Sequence, residues 1–313
     1  MTFNKLIGIV FGLLVVTLVL LWYVKDRSGT VVVSQVDSPE VHTQQRDYVD
    51  IVFLDIGQGD ATYIEFPDGT QMLVDCAKDG VVLEALGRVL PFYDTSIDIL
   101  LVTHDDLDHY GGCSDVLRKY DIDRIVTNGM LMKKDVQWQS FVSDMKAEHA
   151  GTLVVAGVQS MDIASTTVQF LYPDRPLDML GRIPGIKKDT GSNNASVVIK
   201  ITYGNMDALL TGDAERELEE YLLRVYPTST FDVEIYKAGH HGSAGSSIQP
   251  FVDAISPLHT VFSAGEGNRY GHPSLRVIKR VERAGSEVWR TDTQGDIRMR
   301  VFRDKIEVVE VTK

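Results

Sequence analysis

Thr103-His104-Asp105-Asp106-Leu107-Asp108-His109-Tyr110-Gly111-Gly112 follows directly on the apolar run from Ile97 to Val102. Within it, His104 to His109 hold two imidazoles and three carboxylates. Crowded at the end of a buried strand, these groups repel one another or stay unsatisfied unless a positive charge joins them, and a divalent cation does this best. Ordinary surface charge is a poor account, because Leu101-Val102 precede the cluster and Gly111-Gly112 close it at once.

Working outward, the pattern is strand-rich before the cluster: Tyr48 to Leu54, Ala61 to Phe66 and Gln71 to Val74, with Pro67-Asp68-Gly69 as a turn. Val81 to Leu90 has helical spacing and stops at Pro91, and Ile97 to Val102 reads as a buried strand. After the cluster come a helix (Ser114 to Tyr120), a strand (Ile122 to Thr127) and a helix (Val136 to Ala150). A second half follows, with strands at Leu153 to Val158, Met161 to Ile163, Thr167 to Tyr172, Ser196 to Tyr203 and Ala208 to Leu210. Helices at Glu215 to Tyr226 and Leu275 to Ala284 and strands at Val233 to Tyr236, Glu287 to Trp289, Gly295 to Phe302 and Lys305 to Val311 complete it. Two β-then-helix halves predict an α/β fold of four αββα layers, with two facing sheets and helices outside.

The chain has 313 residues and is 44% hydrophobic, enough for one large α/β domain. Its net charge of −13 excludes a global electrostatic pull on nucleic acid, so any such contact is local. Leu6 to Val24 carries no charge and ends beside Trp22 and Tyr23, which predicts one transmembrane helix rather than a cleaved signal, whose apolar core is shorter. The expected organisation is a membrane anchor over residues 1–24, a polar linker over 25–47 and a hydrolase domain over 48–313 facing the extracytoplasmic side. Cys76 and Cys113 read as two small buried thiols near the metal loop rather than a disulfide framework.

Three further clusters stand at strand ends. Asp55-Ile56-Gly57-Gln58-Gly59-Asp60 offers two acids to orient metal ligands from behind, although a plain turn explains it equally. Leu210-Thr211-Gly212-Asp213 delivers one carboxylate, able to bridge two metals or, read alone, to cap the helix from Glu215. Gly239-His240-His241-Gly242-Ser243 places adjacent histidines in a Gly/Ser loop, where they have little packing purpose and suit metal binding or proton transfer. His272, in Tyr270-Gly271-His272-Pro273, joins them or simply shapes a helix entry.

Taken in order, these motifs, with Asn193-Asn194-Ala195-Ser196 and Arg290-Thr291-Asp292, resemble the metallo-β-lactamase superfamily over roughly Asp50 to Val311. Within it they resemble the nuclease-like C-terminal domain of the ComEC competence proteins, which in those proteins is the soluble part of a much larger multi-span channel protein. Asp106 stands where the superfamily usually has His, and Asn193-Asn194 stand where its next His ligand falls. Both changes remove nitrogen donors and favour Mn²⁺ or Mg²⁺ over a purely histidine-rich zinc site, with Zn²⁺ still compatible. Which of His240, His241 and His272 replaces the last superfamily ligand stays open.

The reading that follows is two-metal hydrolysis of a phosphodiester, on single-stranded DNA or another such substrate. His104 and Asp106 hold one metal, Asp108 and His109 the other, and Asp213 bridges. Asp108, His240 and His241 are the expected catalytic groups. Asn194, Ser243 and His272 are candidate substrate contacts, and Arg182, Lys187 and Lys188 lie in a loop suited to guiding an anion. Arg276, Lys279, Arg280, Arg283, Arg298, Arg300 and Arg303 suggest a strand-binding face. An ester or lactone hydrolase on the same scaffold, and a non-catalytic anchored binding module, are the alternatives.

Overall fold

The computed structural model describes residues 46–130, 136–177, 183 and 191–309. The expected membrane span and most of the linker lie outside these residues, as do Arg182, Lys187 and Lys188. Among the described residues no helix is long and apolar enough to cross a membrane.

Strand β1 (Tyr48–Phe53) pairs antiparallel with β2 (Thr62–Glu65), which pairs with β3 (Gln71–Val74). Helix α1 (Val81–Val89) buries Val82, Ala85 and Leu86, one apolar stripe at helical spacing, and returns the chain to β4 (Ser96–Val102) parallel to β3. The short helix α2 (Leu107–Tyr110) and then α3 (Cys113–Lys119) lead to β5 (Asp121–Thr127). Helix α4 (Val136–Ala147) precedes β6 (Gly151–Val154), again parallel.

The second half runs β7 (Gln159–Ile163), β8 (Thr166–Tyr172), β9 (Val198–Tyr203) and β10 (Met206–Leu210), all antiparallel. Helix α5 (Arg216–Val225), β11 (Ile235–Lys237), α6 (Gln249–Ile255), β12 (His259–Phe262), α7 (Leu275–Arg283) and β13 (Glu287–Arg290) then alternate, with β10 to β13 parallel. After the short helix α8 (Thr291–Gln294), β14 (Ile297–Phe302) and β15 (Ile306–Val309) return to the first sheet beside β1. The sheet orders are β15-β14-β1-β2-β3-β4-β5-β6 and β13-β12-β11-β10-β9-β8-β7.

Three apolar layers follow from strand alternation. Ile51, Phe53, Leu101, Phe170, Ile199, Val261 and Met299 fill the space between the sheets. Val52, Leu73 and Leu100 on the other face of the first sheet pack with α1, α3 and α4, and Leu209 and Tyr236 pack with α5, α6 and α7. The expected four-layer αββα order is present.

Several details differ from the sequence reading. Within the metal loop, Leu107 to Tyr110 form a helical turn. Cys76 and Cys113 are not two free thiols: the end of β3 lies against the start of α3, with Cα atoms 5.1 Å apart, and the residues form a buried disulfide. The basic residues do not make one face. Arg276, Lys279, Arg280 and Arg283 ride on α7, against the second sheet, while Arg298 and Arg300 are on the first sheet. Arg280 is committed to the carbonyls of Ser246 and Ser247, and Arg298 to Asp50.

Candidate metal centre

Each element of the site leaves the C-terminal end of a parallel strand: Asp75 after β3, His104 after β4, Asp213 after β10, and His240-His241 after β11. Parallel strands place these ends on one side of both sheets, so residues far apart in sequence meet there. Main-chain bonds lock the ends together. Thr103 donates its N–H to Asp75 Oδ1 (2.8 Å), Val197 donates to the Thr103 carbonyl (2.9 Å), and Cys76 donates to the His109 carbonyl (2.6 Å).

Three imidazoles point the same way for identifiable reasons. His109 Nδ1 lies 2.7 Å from Asp75 Oδ2, and His241 Nδ1 lies 3.1 Å from the Ser263 carbonyl and 3.4 Å from Asp60 Oδ1. His104 Nδ1 lies 3.0 Å from Thr103 Oγ1, whose own proton goes to Asp75 Oδ2. With Nδ1 engaged, each ring presents Nε2 as a lone pair, the tautomer that binds metal. The three Nε2 atoms and Asp213 Oδ1 are buried and none makes a well-aligned hydrogen bond. Four buried polar atoms left this way call for a cation.

The atoms fall into overlapping groups: His104, His109 and Asp213 form one, Asp108, His109 and His241 another, and Asp60, Asp213 and His241 a third. Asp213 Oδ1 is 3.2 Å from His109 Nε2, and its Oδ2 is 3.5 Å from His241 Nε2, so this one carboxylate serves both sides. It does not cap the following helix, whose N-cap is Glu215. Gly212 makes this approach geometrically feasible: its φ is +51°, and a Cβ there would stand 2.8 Å from Ser196 Cβ. Ser196 Oγ in turn accepts the Asp213 N–H at 2.9 Å.

The pairing differs from the expected one. His109 lies between the two ligand groups rather than beside Asp108 alone. Asp106 stands at the rim, Oδ2 3.8 Å from His104 Nε2, with Oδ1 accepting from Ser192 Oγ at 2.5 Å. Asp108 Oδ2 is 3.3 Å from His241 Nε2. Among the three histidines left open by sequence, His241 joins the ligand groups, whereas His240 and His272 do not.

His240 is tied elsewhere. Its Nδ1 is 2.9 Å from Glu215 Oε1 and its Nε2 is 3.7 Å from Asp213 Oδ2, with a quarter of the side chain exposed. Both His240 and His241 adopt positive φ, +46° and +52°, and Asp75 does too at +61°. Such backbone strain in non-glycine residues clusters at functional sites.

Several neighbours were not legible as site residues. Asp75 and Glu215 orient His109 and His240, and Asn193 Nδ2 lies 3.2 Å from His240 Nδ1. The acid ending the apolar run Leu73-Val74-Asp75 was the available signal for the first. Asp60 does stand behind the ligands, paired with the buried Lys237 and near His241, but Asp55 turns away to receive the Gly57 N–H. Asn194 is fully buried, and its Oδ1 accepts the Glu215 N–H at 3.0 Å, bracing the turn. Ser243 Oγ receives the Gly245 N–H and shapes the histidine loop. His272 reaches the rim, its ring 5.4 Å from that of His240.

Charge follows this geometry. Burial lowers the His104 pKa, helped by His109. Burial also opposes the charged forms of His109 and His241, yet Asp213 and Asp75 hold His109 well above the usual imidazole range, and Asp213 and Asp60 raise His241 to about 10. Burial pushes Asp108 up, but His241 and His109 override it and bring it down to about 2. The surrounding carboxylates thus favour positive charge at the place where a metal ion would supply it.

The sequence matches the metallo-beta-lactamase superfamily over residues 54–266. The chain belongs to that superfamily. The metallo-beta-lactamase fold is one of metal-dependent hydrolases and holds divalent metal ions, typically two, and the donor set above fits that cargo. ComE operon protein 3 of Bacillus subtilis (strain 168) is 29% identical over 268 residues, covering 80% of this chain and 33% of that protein. Recombination protein 2 of Haemophilus influenzae is 27% identical over 261 residues, covering 82% of this chain and 29% of that protein. The chain thus spans a third or less of these relatives. A mutant of the CmlA beta-hydroxylase shares the fold, with a TM-score of 0.50 at 14% identity over 81% of this chain and 54% of that one.

Proposed function

We propose that this metallo-beta-lactamase-fold domain is a two-metal phosphodiesterase acting on DNA. The observation that carries the reading is Asp213: its Oδ1 lies 3.2 Å from His109 Nε2, in a group with His104, and its Oδ2 lies 3.5 Å from His241 Nε2, which is itself grouped with Asp108 and His109. Divalent ions held there would lower the pKa of water and stabilise the charge on the attacking and leaving oxygens. Three nitrogens with carboxylate oxygens suit Mn²⁺ or Zn²⁺.

The residues divide the remaining work. Asp108, ionised and about one-third exposed, faces the cluster and can accept the proton of the attacking water. Glu215 and Asp213 raise the His240 pKa against its burial, which favours the protonated ring that could deliver a proton to the leaving oxygen. Glu215 fixes the direction of that ring. The choice of DNA draws on the similarity to proteins named for a competence operon and for recombination.

The buried Cys76–Cys113 disulfide supports an oxidising, extracytoplasmic setting, consistent with residues 1–24 as an anchor. Incubating the metal-loaded chain with single-stranded DNA, a simple phosphodiester and a lactone tests the function. Cleavage of the first two under Mn²⁺ or Zn²⁺ is expected. A lactone opened while both phosphodiesters stay intact would overturn the reading.

A further inference from the structure

The metal cluster continues outward as a ladder of rings. His109 and His241 have centroids 5.3 Å apart at 34°, His241 and His272 are 6.4 Å apart at 29°, and His272 and Tyr270 are 5.8 Å apart at 26°. The ladder begins at buried ligands and ends at Tyr270, which is 54% exposed. Arg269 completes it, with Cζ 4.9 Å from the Tyr270 centroid and Nη2 donating to the Tyr270 hydroxyl at 2.8 Å.

This end of the ladder is held rather than loose. Asn268 Oδ1 accepts the N–H groups of Tyr270 (3.1 Å) and His272 (3.0 Å), while its Nδ2 donates to the carbonyls of Gly265 (2.9 Å) and His272 (2.5 Å). Ser274 donates to the Gly242 carbonyl at 2.9 Å, which docks this segment on the histidine loop. Asn268 thus fixes the backbone that carries Tyr270, and the ring, flanked by Arg269 and His272 but 54% exposed, keeps part of its surface within reach of a planar ligand.

We propose that Arg269, Tyr270 and His272 form a stacking subsite for a nucleobase adjoining the phosphodiester at the metal centre. The proposal rests on the phosphodiester reading of that centre. Stacking suits every base because each has a π-face, and a guanidinium beside the ring serves the neighbouring phosphate, a local cation on a chain of net charge −13. The subsite therefore selects single strands, whose bases are free to leave the stack, without reading their sequence.

The test compares two single strands of equal length and charge, one bearing bases and one abasic, both with cleavage-resistant phosphorothioate links. Their affinities for the Mn²⁺-loaded full chain are read by fluorescence anisotropy. The wild-type chain should favour the base-bearing strand about ten-fold. Tyr270→Ala should bring the ratio toward one, Tyr270→Phe should keep it, and Asn268→Ala, which frees the loop, should reduce it with Tyr270 still present. Equal binding of both strands by the wild type, or an undiminished ratio in Tyr270→Ala, would overturn the subsite. Cleavage of an unmodified strand is followed separately, so a base preference without cleavage contradicts the phosphodiesterase reading alone.

Discussion

In the proposed mechanism His240 carries the proton and Glu215, 2.9 Å from its Nδ1, steers the ring. His240→Ala should lower kcat for a phosphodiester about 100-fold, the usual contribution of a positioned general acid. Glu215→Gln removes a contact that raises the His240 pKa, so His240 loses its proton at lower pH and the alkaline limb of the kcat profile should move down in pH. An unmoved limb would show that His240 is not the acid. A second carboxylate works behind the same loop. Glu219 accepts the N–H groups of Ser247 (2.5 Å) and Ile248 (2.8 Å), and burial pushes it up to about 8 despite those bonds and Arg280. Its folded pKa exceeds the ordinary value of 4.5, so the unfolded chain releases this proton first as pH rises. The stability it contributes is complete below about pH 4.5 and lost as pH rises through about 8. Glu219→Gln should flatten the fall in Tm between pH 5 and 9, measured by calorimetry at roughly these limits. An identical slope in the variant would contradict this. Glu219 was hidden in sequence because its helix opens with a run of charges, and nothing in Arg216-Glu217-Leu218-Glu219-Glu220 marks which acid turns inward.

Among the elements, the turn after β10 carries the narrowest tolerance. Gly212→Ala adds a Cβ against Ser196 at a positive φ, which should cost about 1–3 kcal/mol and displace Asp213. Loss of metal by elemental analysis, together with a lower Tm, is the expected outcome. The disulfide braces the other side of the site, tying the end of β3 to the helix that follows the metal loop. Its cysteines are separated by 37 residues, so breaking it should cost about 3–4 kcal/mol by the loop-entropy estimate. Paired Cys76→Ser and Cys113→Ser variants compared by thermal melts would check this, and an unchanged Tm would contradict it. Two cysteines in a sequence look alike whether bonded or free, and only the packing of the chain after β3 against the end of the metal loop, through Cys76 N–H to the His109 carbonyl and Gly112 N–H to the Ala77 carbonyl, brings them together. Helix α6 and strand β12 were likewise unreadable. His259-Thr260-Val261-Phe262 is too short to show a period, and its burial depends on β11 and β13 alongside it.

At the scale of the whole molecule, the long apolar runs and the ordered motifs at their ends made the four layers legible. The inward choice of ligands was not, because it depends on two sheets meeting. The His104-to-His109 stretch and Asp213 announced a metal site, yet Asp75, Glu215 and the choice of His241 among three histidines emerged only when β3, β4, β10 and β11 were seen to end on one side. Asp106, the residue that most separates this chain from a histidine-rich centre, lies at the rim beside His104 and Ser192. Two-metal binding therefore rests on Asp213, His109 and His241. Titrating the metal-free chain with Mn²⁺ while following cleavage of single-stranded DNA tests that claim most directly. The account predicts no cleavage without metal and a rise that levels off at about two equivalents per chain. Saturation at one equivalent, or intact DNA at every loading, would contradict it.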